Sequence, residues 1–226
     1  MKQTIYFVIL FCFGCSNSDK KNVENKINDS LDIKKELLAK TNYVHLEKLT
    51  ITGDFDGDGK ADTLFQNTIN KNTKVSIDSF PNNQWDSLET YFYKIDADVI
   101  LTLSNRKCDT LKLGATGGLY CLINIGDNNK DKKDEIAFVV NYYNFTNITS
   151  CCIFTLCDNK WKQLKEFKIH ENAFEYEGDT VKTFKQIKGF LEYRKKSWFY
   201  IDYIDWFNAE SDKDTILKPL KIKNGC

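Results

Sequence analysis

The chain is 226 residues long, and its 32 basic and 32 acidic side chains cancel, leaving no basic stripe to track a nucleic-acid backbone. Its only histidines, His45 and His170, belong to no Gly-x-Ser-x-Gly elbow and no His-Glu-x-x-His helix, which excludes the familiar hydrolase and zinc-protease signatures. A hydrophobic content of 42% over this length is enough to build a core.

Residues 1–14 read as an export signal. Lys2 supplies a positive start, Ile5 to Phe13 an apolar run, and Gly14 a small residue before Cys15. That run is too short to cross a bilayer as a helix, which takes about 20 apolar residues. Cys12-Phe13-Gly14-Cys15 resembles a lipobox, departing from it at Cys12, where Leu is usual, and at the bulky Phe13. The resemblance implies that Cys15 is diacylated and becomes the N-terminus. It would anchor the protein to a bacterial cell-envelope membrane, the outer more readily than the inner, facing the periplasm or the cell surface. Residues 15–41 then form a tether whose first half is dominated by Asn, Ser, Asp and Lys. Leu31, Leu37 and Leu38 allow one short helix there, capped by Asp29 or Ser30.

Residues 42–226 read as a single β-rich domain. Alternating or β-branched runs predict strands at 49–52, 63–65, 74–80, 90–93, 99–103, 122–125, 136–142, 150–156, 164–169, 190–193, 198–207 and 217–222. Asn, Asp, Lys and Gly turns separate them at short intervals, which is an all-β pattern.

Two of these turns have the composition of cation sites. Gly53-Asp54-Phe55-Asp56-Gly57-Asp58-Gly59-Lys60-Ala61-Asp62 packs four carboxylates into one short loop, and they repel one another unless a hard cation neutralises them. The candidate ligands are Asp54, Asp56, Asp58, the Lys60 carbonyl and Asp62, an all-oxygen set that suits Ca²⁺ better than Zn²⁺. An EF-hand would carry a bidentate Glu on an outgoing helix at the twelfth position, but Phe65 stands there, inside a β-type run. The loop therefore joins two strands. A gapless second copy begins at Gly126, 73 residues on (127 minus 54), and offers Asp127, Asn129, Asp131, the Lys133 carbonyl and Glu135. Its Lys132 replaces Gly59, and Lys130, Lys132 and Lys133 dilute the negative field, so the second site is expected to be the weaker.

Both loops resemble the calcium loops of FG-GAP/VCBS repeats. The resemblance implies antiparallel propeller-blade-like repeats with calcium loops between strands, built into an incomplete or small propeller or a β-sandwich. It also implies an extracytoplasmic module used for adhesion or ligand binding. Only two such loops occur, so this chain alone does not encode six or seven of these blades.

Cys108, Cys121, Cys151, Cys152, Cys157 and Cys226 are an even six, able to form up to three bridges in an oxidising compartment or to stay as buried thiols. The run 198–207 is apolar on both strand faces and predicts a core strand with Asp202 and Asp205 at its margins; exposed aromatics there would instead stack on a sugar or a protein partner. Trp161, just past a turn, is expected to be exposed. The sequence thus points to a membrane-anchored, calcium-stabilised binding or scaffold module for a glycan or protein ligand, with no nucleic-acid partner. The alternative is a glycan-active envelope hydrolase with structural calcium, which would need a deep pocket with convergent polar groups.

Overall fold

The computed structural model describes residues 42–82, 88–105, 108–142, 146–176, 179–180, 182–210, 216–223 and 226. The export signal, Cys15 and the tether lie outside the described residues.

The domain is mostly strand, as expected, and every pair of named strands is antiparallel. β1 (Tyr43–His45) pairs with β4 (Ser79–Pro81) in a short ribbon. Sheet one has the order β2 (Thr50–Gly53), β3 (Asp62–Asn70), β5 (Ala97–Leu103), β6 (Leu111–Gly114). Sheet two is the meander β7 (Leu119–Gly126), β8 (Glu135–Val140), β9 (Ile148–Cys157), β10 (Lys160–His170). After a 3₁₀ turn at Glu171–Phe174 and the small β11 (Glu175–Tyr176) and β12 (Asp179–Thr180) pair, sheet three follows with β13 (Leu191–Arg194), β14 (Ser197–Tyr200) and β15 (Lys218–Pro219). Among the described residues none of the sheets closes on itself.

In sheet two, β7 and β8 are buried on both faces. Cys121, Ile123, Ala137, Val139, Cys151 and Ile153 form one core with Phe167, Leu191 and Trp198. On the other face Leu119, Leu122, Ile136 and Phe138 meet Leu49, Phe55, Leu64 and Leu101 of the sheet-one side. Strands covered on both sides select near-continuous apolar runs, which is why 119–125 and 136–140 show no polar alternation. The β9–β10 and β13–β14 hairpins turn on Asp158-Asn159 and Lys195-Lys196, all four in the left-handed region, the type I′ geometry that matches strand twist.

Five expectations need correction, the first being that the strand predicted at 217–222 reduces to β15, Lys218–Pro219. The predicted strand at 90–93 is helix α1 (Leu88–Lys94): Leu88 and Phe92, one turn apart, are both buried against Phe80 and Ala97, so the helical period governs. The predicted strand at 74–80 reduces to Ser79–Pro81 and one isolated bridge between Ser76 and Ile69. The core strand expected over 198–207 stops at Tyr200. Asp202 ends it by accepting the Ile204 N–H at 2.9 Å and capping α2 (Tyr203–Phe207), which buries none of its residues. Trp161 is half-buried against the core between sheets one and two rather than exposed.

Candidate metal centre

Each cation loop occupies the same place in its sheet, between the first two strands. β2 ends at Gly53 and β3 begins at Asp62, with these residues paired; β7 ends at Gly126 and β8 begins at Glu135, likewise paired. The 73-residue offset of the sequence is therefore also the offset of the fold.

Loop one is curled by its own acids. Asp54 accepts the N–H groups of Gly57 (2.9 Å) and Gly59 (3.0 Å), Asp56 accepts that of Asp58 (3.1 Å), and Asp58 that of Lys60 (2.8 Å). Loop two repeats the pattern: Asp127 accepts from Asp131 (3.1 Å) and Lys132 (3.0 Å), Asn129 from Asp131 (2.9 Å), and Asp131 from Lys133 (3.0 Å). Gly57 and Gly59 have φ of 81° and 83°; Lys130 and Lys132 take the same left-handed conformation at 66° and 72°. The lysines do not change the shape of the loop; they adopt a backbone that costs about 1–2 kcal/mol for a residue with a Cβ.

This curling gathers oxygens. In loop one Asp54, Asp56 and Asp58 each place a carboxylate oxygen within 4.8 Å of the others; in loop two Asp127, Asp131 and Glu135 do so. Asp62 lies outside the first trio, half-buried, with one oxygen, Oδ2, that has no hydrogen-bond partner among the described residues. Burial and then the charge of Asp56 raise its acid above the ordinary carboxylate range. Asn129 is buried beside the second trio. Lys60 and Lys133, whose carbonyls complete the predicted sets, sit in equivalent positions, giving their N–H groups to Asp58 and Asp131 respectively. The Lys133 ammonium is drawn off to the Leu156 carbonyl at 2.8 Å.

Glu135 is the decisive group. It is 0% exposed; Oε2 accepts the Asn128 N–H at 2.7 Å, and Oε1 has no partner among the described residues. A buried carboxylate oxygen left unpaired beside two other acids is a large desolvation cost that a hard cation removes. The donor set therefore fits Ca²⁺: it is all oxygen and rich in carboxylates, and one buried oxygen of it is unpaired among the described residues.

Sequence reasoning missed the residues that join the loops. The Asp54 N–H donates to Asp134 Oδ2 (3.1 Å), while the Asp134 N–H donates to the Asp54 carbonyl (2.8 Å). Asn124 Nδ2 bonds both the same Asp134 oxygen (2.8 Å) and the Thr52 carbonyl (2.9 Å). A Cβ at Gly53 would lie 2.3 Å from Asn124 Nδ2 and 2.6 Å from Asp134 Oδ2, so glycine is required there by close approach. At the paired position Gly126, with φ of 74° and open space around it, the requirement is conformational instead. One step further along, Trp198 Nε1 donates to the Ile125 carbonyl at 2.7 Å. Thr52 and Ile125 are equivalent residues of the two repeats, so each is held by a side chain of the next sheet.

The remaining predicted features are placed as follows. Cys157 is bonded to Cys226, while Cys108, Cys121, Cys151 and Cys152 are free thiols. His45 is exposed on β1, and His170 Nδ1 caps the 3₁₀ turn by accepting the Asn172 N–H. No family model, curated protein or solved structure matches this chain.

Proposed function

We propose that this protein is a calcium-stabilised β module of the FG-GAP/VCBS-like kind, lipid-anchored through Cys15 at the bacterial envelope, where it serves as a binding or scaffold domain. The observation that carries the metal reading is Glu135, wholly buried with an unclaimed oxygen beside Asp127 and Asp131. The Cys157–Cys226 bridge agrees with export to an oxidising compartment. Charge count ranks loop one as the tighter site, but enclosure favours loop two, because calcium there relieves a desolvated carboxylate. We therefore rank loop two first.

Thermal unfolding with Ca²⁺ or chelator tests this. Saturation at 100- to 1,000-fold above the dissociation constant adds about 3–4 kcal/mol, a melting shift on the order of 10 °C for a domain of this size. Asp56→Ala with Asp58→Ala should remove part of the shift, and Asp131→Ala more of it. Glu135→Gln should raise the melting temperature in chelator while shrinking the calcium increment. Identical curves with and without calcium would refute the metal reading, and a larger loss from the loop-one pair would reverse the ranking.

A further inference from the structure

We infer that the aromatic cleft between α2 and the end of β10 binds a neutral sugar ring. This deepens the binding-module reading above and rests on it.

The cleft encloses about 420 Å³, within the range of small-ligand sites. Phe190, Ile201, Tyr203 and Trp206 give it apolar walls, and His170 and Asn172 line it as polar groups. Tyr203 is the hub of its rings: it stacks on Trp206 at 5.5 Å and 26°, and contacts His170 at 5.0 Å and Phe190 at 6.4 Å. Trp206 nevertheless remains 47% exposed, on a helix that buries no residue. That helix is held by polar ties. Asp202 caps it and also accepts the Lys168 N–H at 3.2 Å, and Asp205 pairs with Lys218 at 3.1 Å. The ties fix an aromatic surface that the core does not use.

The polar groups select the ligand class. His170 Nδ1 is occupied by the Asn172 N–H, which leaves the other ring nitrogen as a donor, and the exposed Asn172 amide has no partner among the described residues. No charged side chain lines the cleft among the described residues, so nothing there pairs with a phosphate or carboxylate. A purely aliphatic ligand would cover His170 and Asn172 and leave them unsatisfied. A pyranose meets both demands, laying its C–H face on Tyr203 or Trp206 and offering hydroxyls to His170 and Asn172.

Calorimetric titration of the full chain, in calcium, with maltohexaose, cellohexaose and N-acetylchitohexaose tests this, with decaproline as a second flat-ringed probe. At least one hexasaccharide should bind saturably. Trp206→Ala should weaken it about tenfold and Asn172→Ala roughly 2- to 10-fold. No saturable binding by any of the three sugars, or equal affinity in Trp206→Ala, overturns the inference, as does decaproline binding that no sugar displaces. The calcium melting shift, measured on the same variants, checks folding and separates the two claims. Sugar binding lost from the parent chain with the shift intact defeats only the cleft; a missing shift with sugar bound defeats only the metal reading.

Discussion

At the scale of single residues, the strongest internal conflict sits at Glu135. Burial pushes its acid up to about 7, the Asn128 N–H opposing and the charges of Asp131 and Asp127 adding to the rise. In the unfolded chain it titrates near its ordinary 4.5. Below that pH both states hold the proton and the group has no effect. As pH rises from about 4.5 to about 7 the unfolded chain releases its proton first, so the cation-free fold loses stability across this window, by about 3 kcal/mol in all. Urea midpoints in chelator should therefore fall over that range in the parent relative to Glu135→Gln, and saturating calcium should abolish that fall. Superposable pH profiles for the two chains would show that Glu135 is not desolvated. The repeat alignment marks Glu135 as a ligand, but not its burial, which depends on sheet two being covered on both faces. Lys132, which stands where loop one has Gly59, adopts the left-handed conformation of that glycine.

Among the elements, the two acid-rich loops were legible because their carboxylates are local in sequence and recur at one spacing. The Asp54–Asp134 clamp was not, since it joins residues 80 positions apart and exists only because loop two packs beside loop one. Asp134→Ala removes the acceptor of two donors, the Asp54 N–H and the Asn124 amide. We expect it to destabilise the domain by about 1–3 kcal/mol and to weaken calcium at loop one, although Asp134 belongs to neither ligand trio. Calcium titration by calorimetry reads this directly, and an unchanged loop-one affinity would show that the clamp does not set loop geometry. The strands the pattern found are those with a solvent face or β-branched runs. It misread 90–93 because Thr-Tyr-Phe-Tyr is made of residues favoured in strands, while the burial that decides the element lies at Leu88 and Phe92. It overran β14 because aromatic content concealed the Asp202 cap.

At the scale of the whole molecule, the three larger sheets among the described residues follow one another along the chain, with the middle one packed between the two cores, and the all-β class follows from alternation and turn spacing alone. Which cysteines meet was not readable, because pairing depends on how distant strand ends come together. Burial drives the Cys121 and Cys151 thiols well above the usual range and Cys152 up to about 11. Iodoacetamide should therefore spare Cys121 and Cys151 in the native protein at neutral pH, yet label Cys108, Cys121, Cys151 and Cys152 after unfolding without reductant. Peptide mapping that finds Cys157 or Cys226 alkylated in the unreduced sample would remove the bridge. The carbonyls of Thr52 and Ile125, each gripped from the following sheet, also set an order in time. An outer sheet can peel away by releasing one such grip, but the middle one opens only when both neighbours have let go. Deuterium should accordingly enter the β1–β4 ribbon within the earliest exchange points and reach the amides of β7 and β8 last, at the rate of global unfolding.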